Sequence, residues 1–138
     1  MSKILVPVDG SANSKRAFEK AISLATGGSI TALYVIETPP TVYVESQKVL
    51  DAAMAKYKKE ADEVLDQYEA MAASHGIKIE AVIAEGEPGP AILSYAEKGG
   101  FDLIVMGSRG RGKITEAVLG SVSSKVLKEA KCPVVIVK

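Results

Sequence analysis

Five short apolar runs, each rich in valine and isoleucine, recur along this chain and alternate with segments of helical periodicity. The runs cover residues 4–8, 30–36, 77–83, 101–106 and 134–137. Strict alternation of strand and helix favours parallel strands joined by right-handed crossovers, with helices on both faces of the sheet. The sequence therefore predicts a doubly wound α/β fold, Rossmann-like, around a five-stranded parallel sheet.

The segments between the runs repeat apolar residues at three-to-four spacing, as amphipathic helices do. They cover residues 17–25, 50–71, 88–96 and 121–130. Ser11 or Ser14 is expected to cap the first helix, and Pro88 begins the third, where a missing amide does no harm. The run 77–83 alternates apolar with charged residues, which predicts a strand at a margin of the sheet.

Composition narrows the class of protein. With 47% hydrophobic residues among 138, the chain can bury a core of its own, so we expect one ordered domain over residues 1–138. Seventeen basic residues balance seventeen acidic ones, which argues against general attraction to nucleic acid or an anionic membrane. A lone cysteine, Cys132, and the lack of any apolar stretch of about 18 residues favour a cytosolic location.

Glycine and positive charge are densest directly after the fourth run, where residues 107–113 read GSRGRGK. Doubly wound sheets bind ligands beyond the carboxyl ends of their strands. Glycines allow backbone amides to approach an anion, and the three cations of this segment offset its charge. Gly120 and Ser121 then begin a helix whose free amides also favour an anion. The two segments together predict a phosphate site.

Two common nucleotide motifs are absent. Gly107, Gly112 and Lys113 match the first seven positions of a P-loop, but Ile114 stands where a magnesium-binding Ser or Thr is required. Residues 9–11 read DGS, so the glycine fingerprint of dinucleotide-binding proteins does not follow the first run. We therefore reject both of these interpretations.

The observed pattern is Gly107-x-x-Gly110, nine residues, then Gly120-Ser121. It resembles the signature of the universal stress protein family, specifically the branch that binds ATP. Three further segments agree with the resemblance, residues 4–11, 34–37 and 132–137. The resemblance extends over the whole chain and implies an adenine nucleotide alpha hydrolase-like fold with strand order 3-2-1-4-5.

The resemblance also implies roles for individual residues. The nucleoside pocket would be lined by Pro7, Val8 and Asp9, with the backbone of Val35 at the adenine edge. Met106 and Gly107 would lie near the ribose and first phosphate, and the phosphates would be bound by Gly110, Gly120, Ser121, Val122 and Ser123. Arg109 occupies a variable position of the motif and adds positive charge to the loop. The implied ligand is ATP, with Mg²⁺ or Mn²⁺ held through its phosphates as an option; ADP or AMP stays open.

Several of these residues also have purely structural interpretations. Asp9 by itself is suited to a turn or helix cap, but beside the matching loop we favour a place in the site; clustered glycines often only form turns. Ser121 and Ser123 are suited to capping, a role compatible with phosphate binding. The stretch 38–47 is either a flap over the crevice or a plain connector. His75 and Cys132 are expected to be structural.

Function is predicted accordingly. The leading hypothesis is a regulatory module whose nucleotide occupancy orders the glycine loop, with hydrolysis slow at most because no nucleophile is placed beside it. One alternative is a slow ATPase or phosphotransferase using Asp9 and a divalent metal, and another is an interaction module with an empty cleft. The resemblance implies a homodimer, formed by pairing residues 134–137 across a two-fold axis; an apolar last strand at a sheet edge is consistent with that.

Overall fold

Strands and helices alternate strictly along the computed structural model, which describes residues 2–37, 46–109 and 119–138. The elements are β1 (Lys3–Pro7), α1 (Ala12–Leu24), β2 (Ser29–Ile36), α2 (Gln47–Ser74), β3 (Glu80–Glu85), α3 (Pro88–Lys98), β4 (Leu103–Gly107), α4 (Ser121–Glu129) and β5 (Val134–Val137). The strands form one parallel sheet in the order β3-β2-β1-β4-β5. The doubly wound fold and its strand order are confirmed, and β3 is at a margin as expected.

Two strands begin later than the apolar runs predict, for the same reason. The Ile77 amide donates to the carbonyl of Ala72 at 2.9 Å, and the Phe101 amide donates to that of Ala96 at 3.1 Å. Each bond closes the end of the preceding helix, after a glycine with positive φ. The first apolar residues of both runs therefore complete a helix end and pack in the core before the strand starts.

Each face of the sheet is covered by a pair of helices. Ile4 and Val6 of β1 pack in one buried cluster with α1 and α2, including Phe18 and Tyr68. Leu5 points the other way, into a second cluster with α3 and α4. The alternation along β1 thus serves two separate cores, which explains why this strand is apolar at successive positions.

The longest helix, α2, has 28 residues and is amphipathic. Ser46 caps its first turn, because its side chain accepts a hydrogen bond from the Val49 amide. Its buried positions are Ala61, Leu65, Tyr68 and Ala72, spaced as one face of a helix. Within the described ranges, none of the helices has both the length and the apolar character needed to cross a membrane.

The central strand β1 and its neighbour β4 separate towards their carboxyl ends. β1 pairs with β2 along its whole length, whereas the registered pairs between β1 and β4 end at Leu5 and Ile104. Pro7 lies beyond that point. The Val8 amide donates to Leu33 of β2, so by alternation the Pro7 nitrogen faces the β4 side, where its missing proton costs no ladder bond. The separation leaves a crevice where the winding of the sheet reverses.

Candidate functional site

A cavity of about 610 Å³ opens at this crevice. Its walls come from the carboxyl ends of β1, β2 and β4 and from the start of α4. Every predicted site residue that the structure describes lines it, namely Pro7, Val8, Asp9, Val35, Met106, Gly107, Arg109, Gly120, Ser121, Val122 and Ser123. Gly110 lies outside the described residues, as do Arg111, Gly112, Lys113 and Ile114. Neither His75 nor Cys132 is part of the lining.

Other lining residues were not anticipated from the sequence. They are Ser14, Leu33, Tyr34, Ile36, Glu37, Tyr57, Glu60, Pro88 and Ile92. Apolar side chains from β2 and α3 therefore meet carboxylates and phenols on the same cavity, a mixture suited to a ligand with a flat apolar part and several polar groups. Of the stretch 38–47, interpreted above as a flap or a plain connector, residues 38–45 lie outside the described residues, while Ser46 caps α2 and Gln47 begins it.

The turn from β1 into α1 is fixed by its own side chains. Asp9 Oδ1 accepts a hydrogen bond from the Ser11 amide at 2.8 Å, and Gly10 has a φ of +86°, which suits only glycine. Ser11 is the cap of α1, since its Oγ accepts from the Ser14 amide at 3.1 Å. Asp9 is thus a turn residue and a cavity residue at once.

A buried tyrosine on α2 supports the same turn. The Gly10 amide donates to Tyr68 Oη at 3.0 Å, and Tyr68 Oη lies 2.8 Å from Ser14 Oγ. The Tyr68 ring meets that of Phe18 edge-on, with 5.2 Å between centroids. Burial raises the pKa of Tyr68 above its usual value, although its hydrogen bond with Ser14 acts in the opposite sense. The β1–α1 turn is therefore anchored in the core.

The loop after β4 is held by the backbone of Ser108. Its amide donates to the Val137 carbonyl at 2.8 Å, and its own carbonyl accepts from the Gly120 amide at 2.7 Å and from Ser123 Oγ at 2.8 Å. These bonds tie the end of β4 to β5 and to the first turn of α4. The buried hydroxyl of Ser123 is therefore already used within the protein, whereas Ser121 is exposed at the cavity.

Asn13 ties the same loop to α1. Its Oδ1 accepts from the Arg109 amide at 3.0 Å, and its Nδ2 donates to the Val137 carbonyl at 3.0 Å. A Cβ on Gly107 would overlap Asn13 Oδ1, so glycine is required at 107 to make room for this amide. The first glycine of the motif thus has a packing reason, which the sequence could not reveal because Asn13 lies more than ninety residues away.

The start of α4 offers donors to an anion. Gly120 is the N-cap and supplies no side chain to the amides that follow it. Ser121 and Val122 line the cavity at this helix end, and Arg109 lines it from the β4 loop, with its Cα beside Gly120. Helix-start amides with no partner inside the helix, the positive end of the helix dipole and a guanidinium together favour a phosphate. In the part of the chain that the structure describes, no group of three or more His, Cys, Asp or Glu is placed to hold a metal ion.

Sequence comparisons give one family. The model of the universal stress protein family matches residues 1–138. A universal stress protein of Methanocaldococcus jannaschii is 37% identical over 138 residues, covering 99% of this chain and 81% of the relative. The universal stress protein YxiE of Bacillus subtilis is 37% identical over 147 residues, covering 99% of each.

Solved structures share the fold. The universal stress protein UspA from Lactobacillus plantarum superposes with a TM-score of 0.88 at 28% identity, over 99% of this chain and 97% of that one. A universal stress protein family protein from Arabidopsis thaliana with AMP bound superposes with a TM-score of 0.73 at 25% identity. The match covers 100% of this chain and 92% of that one. A universal stress protein in complex with cAMP superposes with a TM-score of 0.70 at 26% identity. The match covers 99% of this chain and 96% of that one.

Proposed function

This chain belongs to the universal stress protein family, and on that premise we propose that it binds an adenine nucleotide in the cavity between β1 and β4. One observation carries the proposal. Residues far apart in sequence, on β1, β2, β4 and α4, converge on a single cavity that has amide donors and Arg109 on one side. Two similar proteins contain AMP and cAMP, which supports the adenine nucleotide as the ligand class.

In this proposal different cavity residues bind different parts of the nucleotide. Arg109 and the amides of Ser121 and Val122 bind phosphate oxygens. Pro7, Asp9 and the backbone of Val35 bind the nucleoside, by the family resemblance. We place the chain in the ATP-binding branch, as one domain, with a divalent cation such as Mg²⁺ or Mn²⁺ carried by the phosphates.

The biological role that we propose is regulation by nucleotide occupancy. Arg109 lines the cavity, and the amides of Ser108 and Arg109 are bonded to β5 and to α1, so a ligand that contacts this segment changes the free energy of those bonds too. We propose hydrolysis that is slow at most: the described lining offers the carboxylates of Asp9, Glu37 and Glu60 but neither histidine nor cysteine.

Mass spectrometry of the small molecules released by denaturing the purified protein tests the ligand directly. We expect an adenine nucleotide. Added AMP, ADP or ATP at a hundred times its dissociation constant should raise the free energy of unfolding by about 2.7 kcal/mol. Release of no nucleotide, together with an unchanged melting temperature in all three, would contradict the proposal.

Two glutamate variants on the same helix turn sharpen this test. Ser121→Glu puts a negative charge at the cavity and should abolish the nucleotide-induced rise in melting temperature. Ser124→Glu puts the same charge on the same first turn, at an exposed position outside the lining, and should keep the rise. Both charges favour the helix dipole, so neither variant is expected to unfold. Equal loss in the two variants would argue for general electrostatic repulsion and against a site.

We also propose a homodimer formed through β5. β5 is an outer strand, and its four residues are each half-buried in the single chain. Since the carbonyls of Pro133 and Val137 face β4, alternation directs the backbone of Ile136 outwards. Ile136→Pro should remove an outward amide and give a monomer by light scattering, while the unaltered chain gives a dimer. A monomeric unaltered chain at all concentrations would contradict this proposal.

A further inference from the structure

Ser14 lies in the first turn of α1 and lines the cavity, where the proposed function assigns it no role. Its Oγ is within hydrogen-bond distance of two groups, the Asp9 amide at 3.2 Å and Tyr68 Oη at 2.8 Å. A backbone amide only donates, so Ser14 Oγ accepts in the first of these bonds. The direction of the second bond decides where the hydroxyl proton of Ser14 points.

Tyr68 settles that direction. Its Oη accepts from the Gly10 amide at 3.0 Å, and its side chain is 0% exposed. If Ser14 donated to Tyr68, the phenol proton would be left in the core with no acceptor among the described residues, an arrangement that buried polar groups avoid. Tyr68 therefore donates to Ser14.

Ser14 Oγ then accepts two hydrogen bonds and keeps one proton to donate. Among the described residues Ser14 Oγ bonds only to Asp9 and Tyr68, so neither bond uses that proton. A hydroxyl has two acceptor positions and one O–H bond, so after two accepted bonds only the O–H direction remains unused. Because Ser14 lines the cavity, we take this O–H bond to point into it. The core thus leaves a neutral donor at the cavity surface, beside the Asp9 turn.

The neighbouring residue indicates what the donor meets. Asn13, next to Ser14 on α1, holds the amide of Arg109 on the phosphate side of the cavity, while Ser14 itself holds the amide of Asp9 on the nucleoside side. Resting on the proposed function, we propose that Ser14 donates a hydrogen bond to an oxygen of the bound nucleotide, on the ribose or on the first phosphate, and that Tyr68 directs its proton there.

The test is isothermal titration of AMP and of adenosine into the full chain and two variants. Ser14→Ala removes the donor and should weaken AMP binding about tenfold. Tyr68→Phe keeps the Ser14 hydroxyl but removes the bond that orients it, so AMP affinity should fall about threefold, less than in Ser14→Ala, and the fold should be less stable. Ser14→Cys, which keeps the volume but donates weakly, should behave like Ser14→Ala and serves if the alanine variant does not fold.

Comparing AMP with adenosine shows whether Ser14 donates to the ribose or to the first phosphate. Loss of affinity for both AMP and adenosine assigns the ribose, and loss for AMP alone assigns the phosphate; either result supports the donor. Unchanged AMP affinity in Ser14→Ala, or equal losses in Ser14→Ala and Tyr68→Phe, would overturn the donor and leave nucleotide binding intact. A wild-type chain that binds no AMP, ADP or ATP would overturn the proposed function itself, and the assignment of Ser14 with it.

Discussion

Asn13 Oδ1 accepts a hydrogen bond from the backbone amide of Arg109 at 3.0 Å, although 96 residues separate the two in sequence. The same side chain donates to Val137 at the end of β5. One buried amide group therefore joins α1, the loop after β4 and the outer strand of the sheet. Both of its partners are backbone groups, so the contact fixes the path of the chain rather than the side chains around it.

Asn13→Ala should lower the free energy of unfolding by about 1–3 kcal/mol, because the half-buried amide of Arg109 loses the Asn13 acceptor. Val137 keeps its bond from Ser108, so the strand end is affected less. Urea unfolding followed by circular dichroism measures the change. Ser23→Ala, which removes an exposed bond to Lys20, is the control and should cost under about 0.5 kcal/mol. Similar values for both variants would refute the importance of the Asn13 contact.

Gly107→Ala should destabilise the protein by about 1–3 kcal/mol, because the added methyl group overlaps Asn13 Oδ1. The overlap disappears when Asn13 is also alanine. In a double-mutant cycle, the combined cost should therefore be smaller than the sum of the single costs by about 1 kcal/mol. Strictly additive costs would show that Gly107 is required for another reason.

Alanine substitutions at Ser121 and Ser123 should have different effects, one on ligand affinity and the other on the free energy of unfolding. Ser123→Ala removes the buried bond to Ser108 and should lower the free energy of unfolding by about 1 kcal/mol. Ser121→Ala alters an exposed hydroxyl at the cavity and should leave stability within about 0.5 kcal/mol while weakening AMP binding. Denaturation and calorimetry on the same preparations check both parts. A Ser121 variant that binds AMP normally would remove this hydroxyl from the site.

Stability should fall at alkaline pH partly because of Tyr68. Burial raises its pKa in the folded state, so the unfolded chain loses this proton first as pH rises. The stabilisation that protonated Tyr68 gives the folded state is fully present below about pH 10, the ordinary pKa of tyrosine. It is lost as pH rises through the higher pKa of the folded state. The free energy of unfolding of Tyr68→Phe should therefore decline less steeply above about pH 10 than that of the unaltered chain. Parallel declines would contradict the raised pKa.

The fold was predictable because its signals are local. Valine-rich runs, helical periodicity and glycine or proline breaks each depend on neighbouring residues, and they placed every strand and helix within a few positions. The starts of β3 and β4 were wrong by a few residues, because Ile77 and Phe101 are apolar but complete helix ends. Apolar character alone does not distinguish these two uses.

The site was predictable only as far as its motif extends. Spacing of glycines identified Gly107 and Gly120, but the residues that hold them in place have partners far away in sequence. Tyr68 lies within the amphipathic helix predicted over residues 50–71, yet its hydroxyl contacts Gly10 and Ser14 across more than fifty residues. Such contacts depend on how helices pack across the sheet, which no local pattern contains.

The early end of the pairing between β1 and β4 also bears on binding kinetics. The gap between these strands is made by backbone, with Pro7 on its margin. Entry then requires no sheet bonds to break, so sheet opening should not limit association. Differences in affinity among ligands of this cavity should consequently appear in their residence times.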